Sequence, residues 1–147
     1  MMRGTTRWGC GLALVAAALA ACGPQMRGGA PTLLAGSAWR LTELNGRAPV
    51  ASPGDGVPTL RFDASEPRAS GNGGCNQYTG PYTQDGSSLR FGPIVATRRA
   101  CVDEAANRQE TEFLEALHST TRFRAVGGEL VLYAGDRPVA EFRSSGG

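Results

Sequence analysis

The sequence contains no lysine and only one histidine, His118. All of its 15 basic residues are therefore arginines, and they stand against 13 acidic residues. Arg3 and Arg7 lie in an N-terminal segment that is expected to be removed, so 13 basic and 13 acidic residues remain afterwards. A chain without net positive charge does not form the basic groove that holds nucleic acid. We therefore expect no nucleic-acid partner.

The residue patterns of common catalytic sites are also missing. No serine stands in a Gly-x-Ser-x-Gly motif, and a single histidine cannot supply the pair that holds a catalytic metal. His118 lies at the end of a predicted helix, where a cation interacts favourably with the helix dipole. Glu110, Glu112 and Glu115 recur at helical spacing, which favours an exposed charged face over an acid–base pair. The sequence thus predicts no enzyme, no catalytic residue, no cofactor and no bound metal.

The N-terminal residues have the order of a bacterial export signal. Two arginines accompany an apolar stretch at residues 9–21, which is shorter than the roughly 20 residues of a membrane-spanning helix. The stretch ends in Leu19-Ala20-Ala21-Cys22, which resembles the lipobox at which a cysteine is acylated and the preceding peptide is removed. We expect residues 1–21 to be a lipoprotein signal peptide and Cys22 to carry the lipid. The alternative is a buried helix that ends in cysteine, and Pro24 with the loose sequence beyond it argues against that alternative.

A lipid on Cys22 would anchor the protein to a membrane, because acyl chains contribute roughly 0.8 kcal/mol per buried methylene. Gly23 stands where many lipoproteins of the inner membrane have aspartate, so the resemblance favours the outer membrane and a protein that faces the periplasm. Residues 22–36 are rich in glycine and proline and are expected to form a flexible tether that spans roughly 20 Å. The membrane is thus an expected partner, through the anchor.

Two cysteines are left for the folded part of the chain. Cys10 is removed with the signal and Cys22 is committed to lipid, which leaves Cys75 and Cys101 in a compartment that permits disulfides. A bond between them would close a loop of about 26 residues and stabilise the fold by roughly 3.5 kcal/mol. A metal site and a reactive thiol are the rival interpretations, but two cysteines without matching histidines form a poor zinc site. We predict the disulfide.

Glycine determines the turn that precedes Cys75. The run Ser70-Gly71-Asn72-Gly73-Gly74 holds three glycines and an Asn-Gly step, which indicates a forced turn between extended segments. Such a loop could cradle a phosphate, but phosphate loops depend on a following helix N-terminus, and the residues after Cys75 predict a strand. Asn76 could contact a ligand, although asparagine at a turn more commonly bonds backbone groups. We interpret the run as a structural turn.

From Ser37 onward, apolar and polar residues alternate with a period of two. This alternation puts one face of each strand in a core and the other face in water. Turn signals separate the runs, and the last three strands, near 121–126, 129–134 and 137–143, are joined by two-residue links that predict a meander. The aromatic residues expected to point inward are Trp39, Phe62, Phe91, Phe123 and Phe142.

One segment departs from this alternation and predicts a helix. Asp103 and Glu104 suit a helix N-terminus, with a capping side chain and acidic groups at the positive end of the dipole. The face that follows is apolar apart from Glu110 and should lie against the sheet. We therefore expect a mainly β (α+β) fold, a small curled antiparallel sheet or barrel with one helix packed against it. The residues of the inward helical face are Ala106, Glu110, Phe113, Leu114 and Leu117.

The chain contains, in order, Trp39-Arg40-Leu41, Gly74-Cys75-Asn76, Thr97 with Ala100-Cys101, and Leu130-Val131-Leu132. This series closely resembles the META domain family, the module of HslJ-like bacterial envelope lipoproteins. The resemblance spans residues 37–143, so we expect residues 37–147 to form one such domain. It implies a compact barrel-like fold and no established enzymatic reaction. Arg99 departs from the family pattern, which often has methionine before Ala-Cys. The family-motif positions that it implies to be structural are Trp39, Gly71, Gly74, Asn76, Tyr78 and Thr97.

Two functions from different classes fit these expectations. The first is a non-catalytic outer-membrane lipoprotein that supports envelope integrity, or resistance to heat or antibiotic stress, through contacts with an envelope protein. The alternative is a periplasm-facing carrier that holds a small apolar ligand in the barrel. The barrel interior distinguishes them, because an interior filled by side chains excludes the carrier.

We predict that Cys22→Ala removes the acyl mass and the protein from the outer-membrane fraction, because the thiol that accepts the lipid is gone. Cell fractionation with intact-mass measurement checks this. Cys10→Ala, in the predicted signal peptide, is the matched control and should leave both readouts unchanged. Outer-membrane Cys22→Ala protein that still carries an acyl chain would contradict the lipobox.

Overall fold

The computed structural model of the chain describes residues 33–54, 56–99 and 101–146. The predicted signal peptide, Cys22 and residues 22–32 of the predicted tether lie outside the described residues. No helix in the described ranges is both long and apolar enough to cross a bilayer. The described residues form nine strands and one helix. Their bounds are β1 Ala38–Leu44, β2 Thr59–Phe62, β3 Arg68–Asn72, β4 Gln77–Asp85, β5 Ser88–Phe91, β6 Val95–Ala96, α1 Glu104–Ser119, β7 Arg122–Val126, β8 Glu129–Ala134 and β9 Arg137–Ser144.

Eight of the strands close into an antiparallel barrel. The order around it is β1, β9, β8, β7, β5, β4, β3 and β2, and β2 pairs again with β1. Strand β3 completes the circuit through its pairing with β4, which runs from Arg68↔Pro81 to Asn72↔Gln77. The two-residue β6 lies outside this circuit and pairs with the first half of β4. The predicted mainly β fold with one helix is confirmed, and β7, β8 and β9 form the predicted meander.

Side chains occupy the interior of the barrel. All five aromatic residues that were expected to point inward are buried. The Phe62 ring meets Tyr82 edge-on, with 4.9 Å between ring centroids, and stacks on Phe91 at 6.2 Å. Each of these rings removes a large apolar surface from water, so the rings stabilise the folded barrel mainly through the area that they bury.

The helix packs across β5, β8 and β9. It begins at the N-cap Asp103, whose carboxylate accepts from the Ala105 amide at 2.9 Å, as the sequence predicts. Phe113 lies at the centre of its buried face, where its ring contacts those of Tyr78 at 5.6 Å and Phe142 at 6.2 Å. The helix therefore joins the same core as the strands.

The two ends of the barrel carry different parts of the chain. One end, named the tether end here, receives the N-terminal residues and also holds three hairpin turns, at 63–67, 86–87 and 127–128. The opposite end, named the helix end, holds segment 45–58, loop 73–76, turn 135–136 and α1. The helix and the point where the chain enters the barrel are thus at opposite ends.

Leu34 is part of the core, although its position falls in the predicted tether. Its side chain is fully buried, and its backbone N–H donates to Oε1 of Gln84 at 3.2 Å. The Gly36 amide bonds the Phe62 carbonyl at 3.0 Å. The packed part of the chain therefore begins before residue 37. The sequence analysis missed this because the segment is rich in glycine and proline and contains a single buried leucine.

The contact between β5 and β7 is the narrowest in the barrel. Their only register pair is Ser88↔Arg122. The two backbone bonds that bound this pair run from the Leu89 amide to the Thr121 carbonyl at 3.1 Å and from the Phe123 amide to the Ser87 carbonyl at 2.9 Å. The helix also packs on β5.

We predict that Phe113→Ala lowers the free energy of unfolding by about 3–5 kcal/mol, because it leaves a cavity between the helix and the barrel core. Urea unfolding of the disulfide-bonded protein measures the change. Val126→Ala is the control, since Val126 is 63% exposed, and it should change stability by about 0.5 kcal/mol or less. Equal losses in the two variants would show that Phe113 does not pack in the core.

Candidate functional site

Glu110 is a buried acidic residue in the middle of α1, with only 8% of its surface exposed. Its Oε2 accepts from the backbone amides of Cys75 at 2.9 Å and Asn76 at 2.6 Å. Its Oε1 accepts from Nδ2 of Asn76 at 2.6 Å. Three donors from one loop thus compensate a charge that would otherwise be costly to bury. The sequence analysis placed Glu110 on the inward face of the helix, which is confirmed, and also grouped it with Glu112 and Glu115 on an exposed charged face, which is wrong for Glu110. The second placement failed because the donors that make the burial possible lie more than thirty residues earlier in the chain.

The loop can approach this carboxylate because it contains glycine. A Cβ atom on Gly73 would lie 3.0 Å from both Cγ and Oε2 of Glu110, so a larger residue would crowd the Glu110 side chain. Gly74 follows with φ of +116°, a conformation that side chains rarely adopt. Its amide donates to Oδ1 of Asn72 at 2.6 Å, which closes the turn. The run that was interpreted as a structural turn is confirmed as one.

Asn76 connects the loop to the segment that leads into the helix. Its Oδ1 accepts from the Arg99 amide at 2.6 Å and from Oγ1 of Thr97 at 3.0 Å. Its Nδ2 donates to the Arg99 carbonyl at 3.3 Å as well as to Glu110. The side chain therefore satisfies backbone groups, as predicted, but those groups belong to a segment more than twenty residues away and not to the turn itself.

The predicted disulfide between Cys75 and Cys101 is present. It joins the loop to the residues just before the helix, with 5.7 Å between the two Cα atoms. The Arg99 guanidinium donates from Nη2 to the Cys75 carbonyl at 2.6 Å and covers the same junction. Glu110, Asn76, Thr97, Arg99 and this disulfide are together named the Glu110 cluster.

Tyr78 and Gly71 form a second contact in the same part of the barrel. Tyr78 is buried on β4, crosses β3 above Gly71, and donates its hydroxyl to the Thr59 carbonyl of β2 at 2.7 Å. A Cβ on Gly71 would lie 2.1 Å from that carbonyl oxygen and 3.0 Å from the tyrosine hydroxyl. Burial raises the pKa of Tyr78, so the hydroxyl keeps the proton that it donates. Both motif residues thus make close contacts within the barrel.

The remaining candidate residues also have structural positions. Trp39 is buried on β1, and its Nε1 donates to Oγ of Ser37 at 2.7 Å. His118 is exposed in the last turn of α1, where the helical pattern placed it. Cys22 lies outside the described residues.

Gln109 was missed by the sequence analysis. It is buried beside Glu110, and its amide pairs with the backbone of Val50, accepting from the N–H at 2.7 Å and donating to the carbonyl at 2.8 Å. This pair holds segment 45–58 against the helix. A polar residue next to an inward-facing helical position was the only available signal.

The backbone amides of loop 73–76 are not available to a phosphate. The amides of Cys75 and Asn76, which a phosphate would need, donate to the Glu110 carboxylate. The residues that follow form β4 and not a helix. The Glu110 carboxylate thus takes the place that a bound phosphate would need.

A shallow groove of about 800 Å³ crosses the outer face of the barrel at β2, β3, β4 and β6. Apolar side chains such as Trp39, Leu60 and Val95 line it, together with the polar Ser70, Asn72 and Thr79. The groove is open to solvent, so it is not the enclosed cavity inside the barrel that a carrier would use.

The chain belongs to the META domain family, whose profile matches residues 32–146. No curated protein sequence matches the chain. Among solved structures, it is similar to a protein from Burkholderia xenovorans determined by NMR, with 28% identity over 76% of this chain and 83% of that one, and a TM-score of 0.60.

Two further structures share the fold at lower identity. One is a protein determined by NMR, with 18% identity, coverage of 75% of this chain and 90% of that one, and a TM-score of 0.61. The other is a DUF4847 family protein from Bacteroides vulgatus, with 14% identity, coverage of 76% and 94%, and a TM-score of 0.50. Both likenesses concern the fold alone.

We predict that Glu110→Gln lowers the free energy of unfolding by about 3 kcal/mol, because an amide NH₂ then faces backbone donors and the charge-assisted bonds are lost. Thermal or urea unfolding measures the loss. Glu115→Gln is the matched control, since Glu115 is exposed on the same helix, and we expect a change of about 0.5 kcal/mol or less. If both variants unfold like the unchanged protein, the carboxylate does not hold the loop.

Proposed function

We propose that this META-domain protein is a lipid-anchored, non-catalytic component of the outer membrane that supports envelope integrity or stress resistance through protein contacts. The observation that carries the proposal is the Glu110 cluster. Both carboxylate oxygens of Glu110 and both amide atoms of Asn76 are bonded within the chain. A catalytic acid or base needs its reactive atom free to meet a substrate. These residues instead hold the helix end of the barrel together.

The positions of the two barrel ends support an anchored arrangement. The described chain enters at the tether end, where Leu34 is bonded to Gln84. A lipid on Cys22 would sit at the far side of a spacer of roughly 20 Å. The tether end would then lie toward the membrane and the helix end toward the periplasm. Exposed side chains of α1, such as Arg108 and Glu115, would be accessible to other envelope proteins.

The packed interior argues against the carrier as the function. Phe62, Tyr82 and Phe91 contact one another inside the barrel, where a ligand would have to lie. A ligand could enter only by displacing them, at a cost of lost packing. A reproducible adduct of discrete mass in native mass spectrometry of protein released gently from the envelope would favour the carrier instead.

We predict that deletion of the gene sensitises cells to heat or to an antibiotic, and that plasmids encoding the unchanged chain or His118→Ala restore resistance. Cys22→Ala should fail to restore it, because the protein is no longer held at the membrane. Survival under graded stress is the measurement, with protein levels matched by immunoblot. Restoration by Cys22→Ala would contradict the need for an anchor, and failure of His118→Ala at normal protein level would point to chemistry.

A further inference from the structure

Three potential metal ligands converge in the Glu110 cluster. The sulfur atoms of Cys75 and Cys101 and a carboxylate oxygen of Glu110 all lie within 4.8 Å of one another. Cys75 and Glu110 are buried and Cys101 is partly exposed. The sequence showed two cysteines without a further ligand, because the third comes from the helix. Their convergence is a consequence of the fold.

We propose that the Cys75–Cys101 disulfide closes a zinc site that forms when the bond is reduced. Two thiolates and one carboxylate suit Zn²⁺, which accepts sulfur and oxygen ligands in a tetrahedral arrangement. Calcium and magnesium prefer oxygen ligands alone, and their coordination would leave both thiolates unused. The hydrogen bonds of Glu110 to the Cys75 and Asn76 amides do not involve the sulfur atoms, so they can hold the loop beside the helix after the bond is reduced.

The chemical step is an exchange with an external dithiol. Its two thiols pass two electrons and two protons to the Cys75–Cys101 bond, which breaks, and the dithiol becomes a disulfide. Zinc then binds the two sulfurs as thiolates and releases the two protons. In a tetrahedral site the sulfurs stand about 3.8 Å apart. The two sulfur atoms must therefore move apart once the bond between them is broken.

Hydrogen bonds from loop 73–76 orient the Glu110 carboxylate for metal binding. Its Oε2 accepts from two backbone amides and its Oε1 accepts from Nδ2 of Asn76. A carboxylate offers about four lone-pair sites, so one remains that can bind a metal. Hydrogen bonds of this kind orient ligating carboxylates and raise metal affinity. Because these bonds come from the loop that carries Cys75, the carboxylate and the thiolate are held by the same short segment.

The site is accessible from solvent. A cleft of about 260 Å³ lies directly beside the disulfide and is lined by Ser52, Cys101, Val102 and Asp103, among others. Val102 is fully exposed at this cleft. A reductant and an ion can approach Cys101 through it, and a water molecule can take the fourth coordination position.

The test uses the full chain with Cys10→Ser and Cys22→Ser, purified in mild detergent, so that Cys75 and Cys101 are the only thiols. Isothermal titration with zinc chloride compares the protein reduced by a phosphine with the oxidised protein. We expect one ion per reduced chain, two protons released per ion, and at least 100-fold weaker binding by the oxidised chain. Cobalt titration should give a thiolate-to-metal charge-transfer band in the reduced chain alone.

Glu110→Gln separates this site from a simple pair of thiols. We expect it to weaken zinc binding at least tenfold, whereas the control Glu115→Gln should bind as the unchanged chain does. X-ray absorption of the zinc-loaded, unsubstituted site provides a readout that does not depend on the variant's folding, and it should find two sulfur ligands with oxygen completing the shell. Absence of binding by the reduced chain, equal binding by the oxidised chain, or a shell made only of sulfur from several chains would overturn the proposal.

Discussion

The buried carboxylate of Glu110 is the constraint on which the helix end of the barrel depends. An ionised group in the core is tolerated only when donors compensate its lost hydration. Those donors are the amides of Cys75 and Asn76, so α1 can dock only where loop 73–76 presents them. A Cβ atom at position 73 would crowd the carboxylate at the place where the two parts meet. One charge thus sets the position of a loop, a helix and the segment that Asn76 holds between them.

The motif residues of the family have physical roles that are visible without a ligand. Gly71 leaves room for the Tyr78 hydroxyl to reach across β3 to β2. Thr97 bonds the Asn76 side chain, which in turn bonds Glu110. These contacts fasten neighbouring strands and the helix at places where backbone pairing ends. The residues that relate this chain to its family therefore make contacts that the barrel itself requires.

The strands, the disulfide and the inward position of Glu110 could be predicted from sequence, but the partners that bond Glu110 at the centre of the candidate site could not. Alternation with a period of two reports which face of a strand is buried, so the inward aromatic residues and the β7–β9 meander were correct. Burial of Glu110 depends on partners brought together by the closed fold, and helical spacing alone places three glutamates without showing which has donors nearby. Leu34 was missed for a similar reason, since the Gln84 and Phe62 groups that hold the segment are distant in sequence.

The narrow contact between β5 and β7 affects how the barrel fluctuates. Other neighbouring strands of the barrel share two or more register pairs, whereas these share one. Local opening there would expose the Leu89 and Phe123 amides, which bond across this contact, to hydrogen exchange. The N-terminal half of α1, by contrast, is held by the disulfide and by the bonds of Glu110. The barrel circuit therefore has its sparsest backbone pairing between β5 and β7, whereas the start of the helix is fastened covalently.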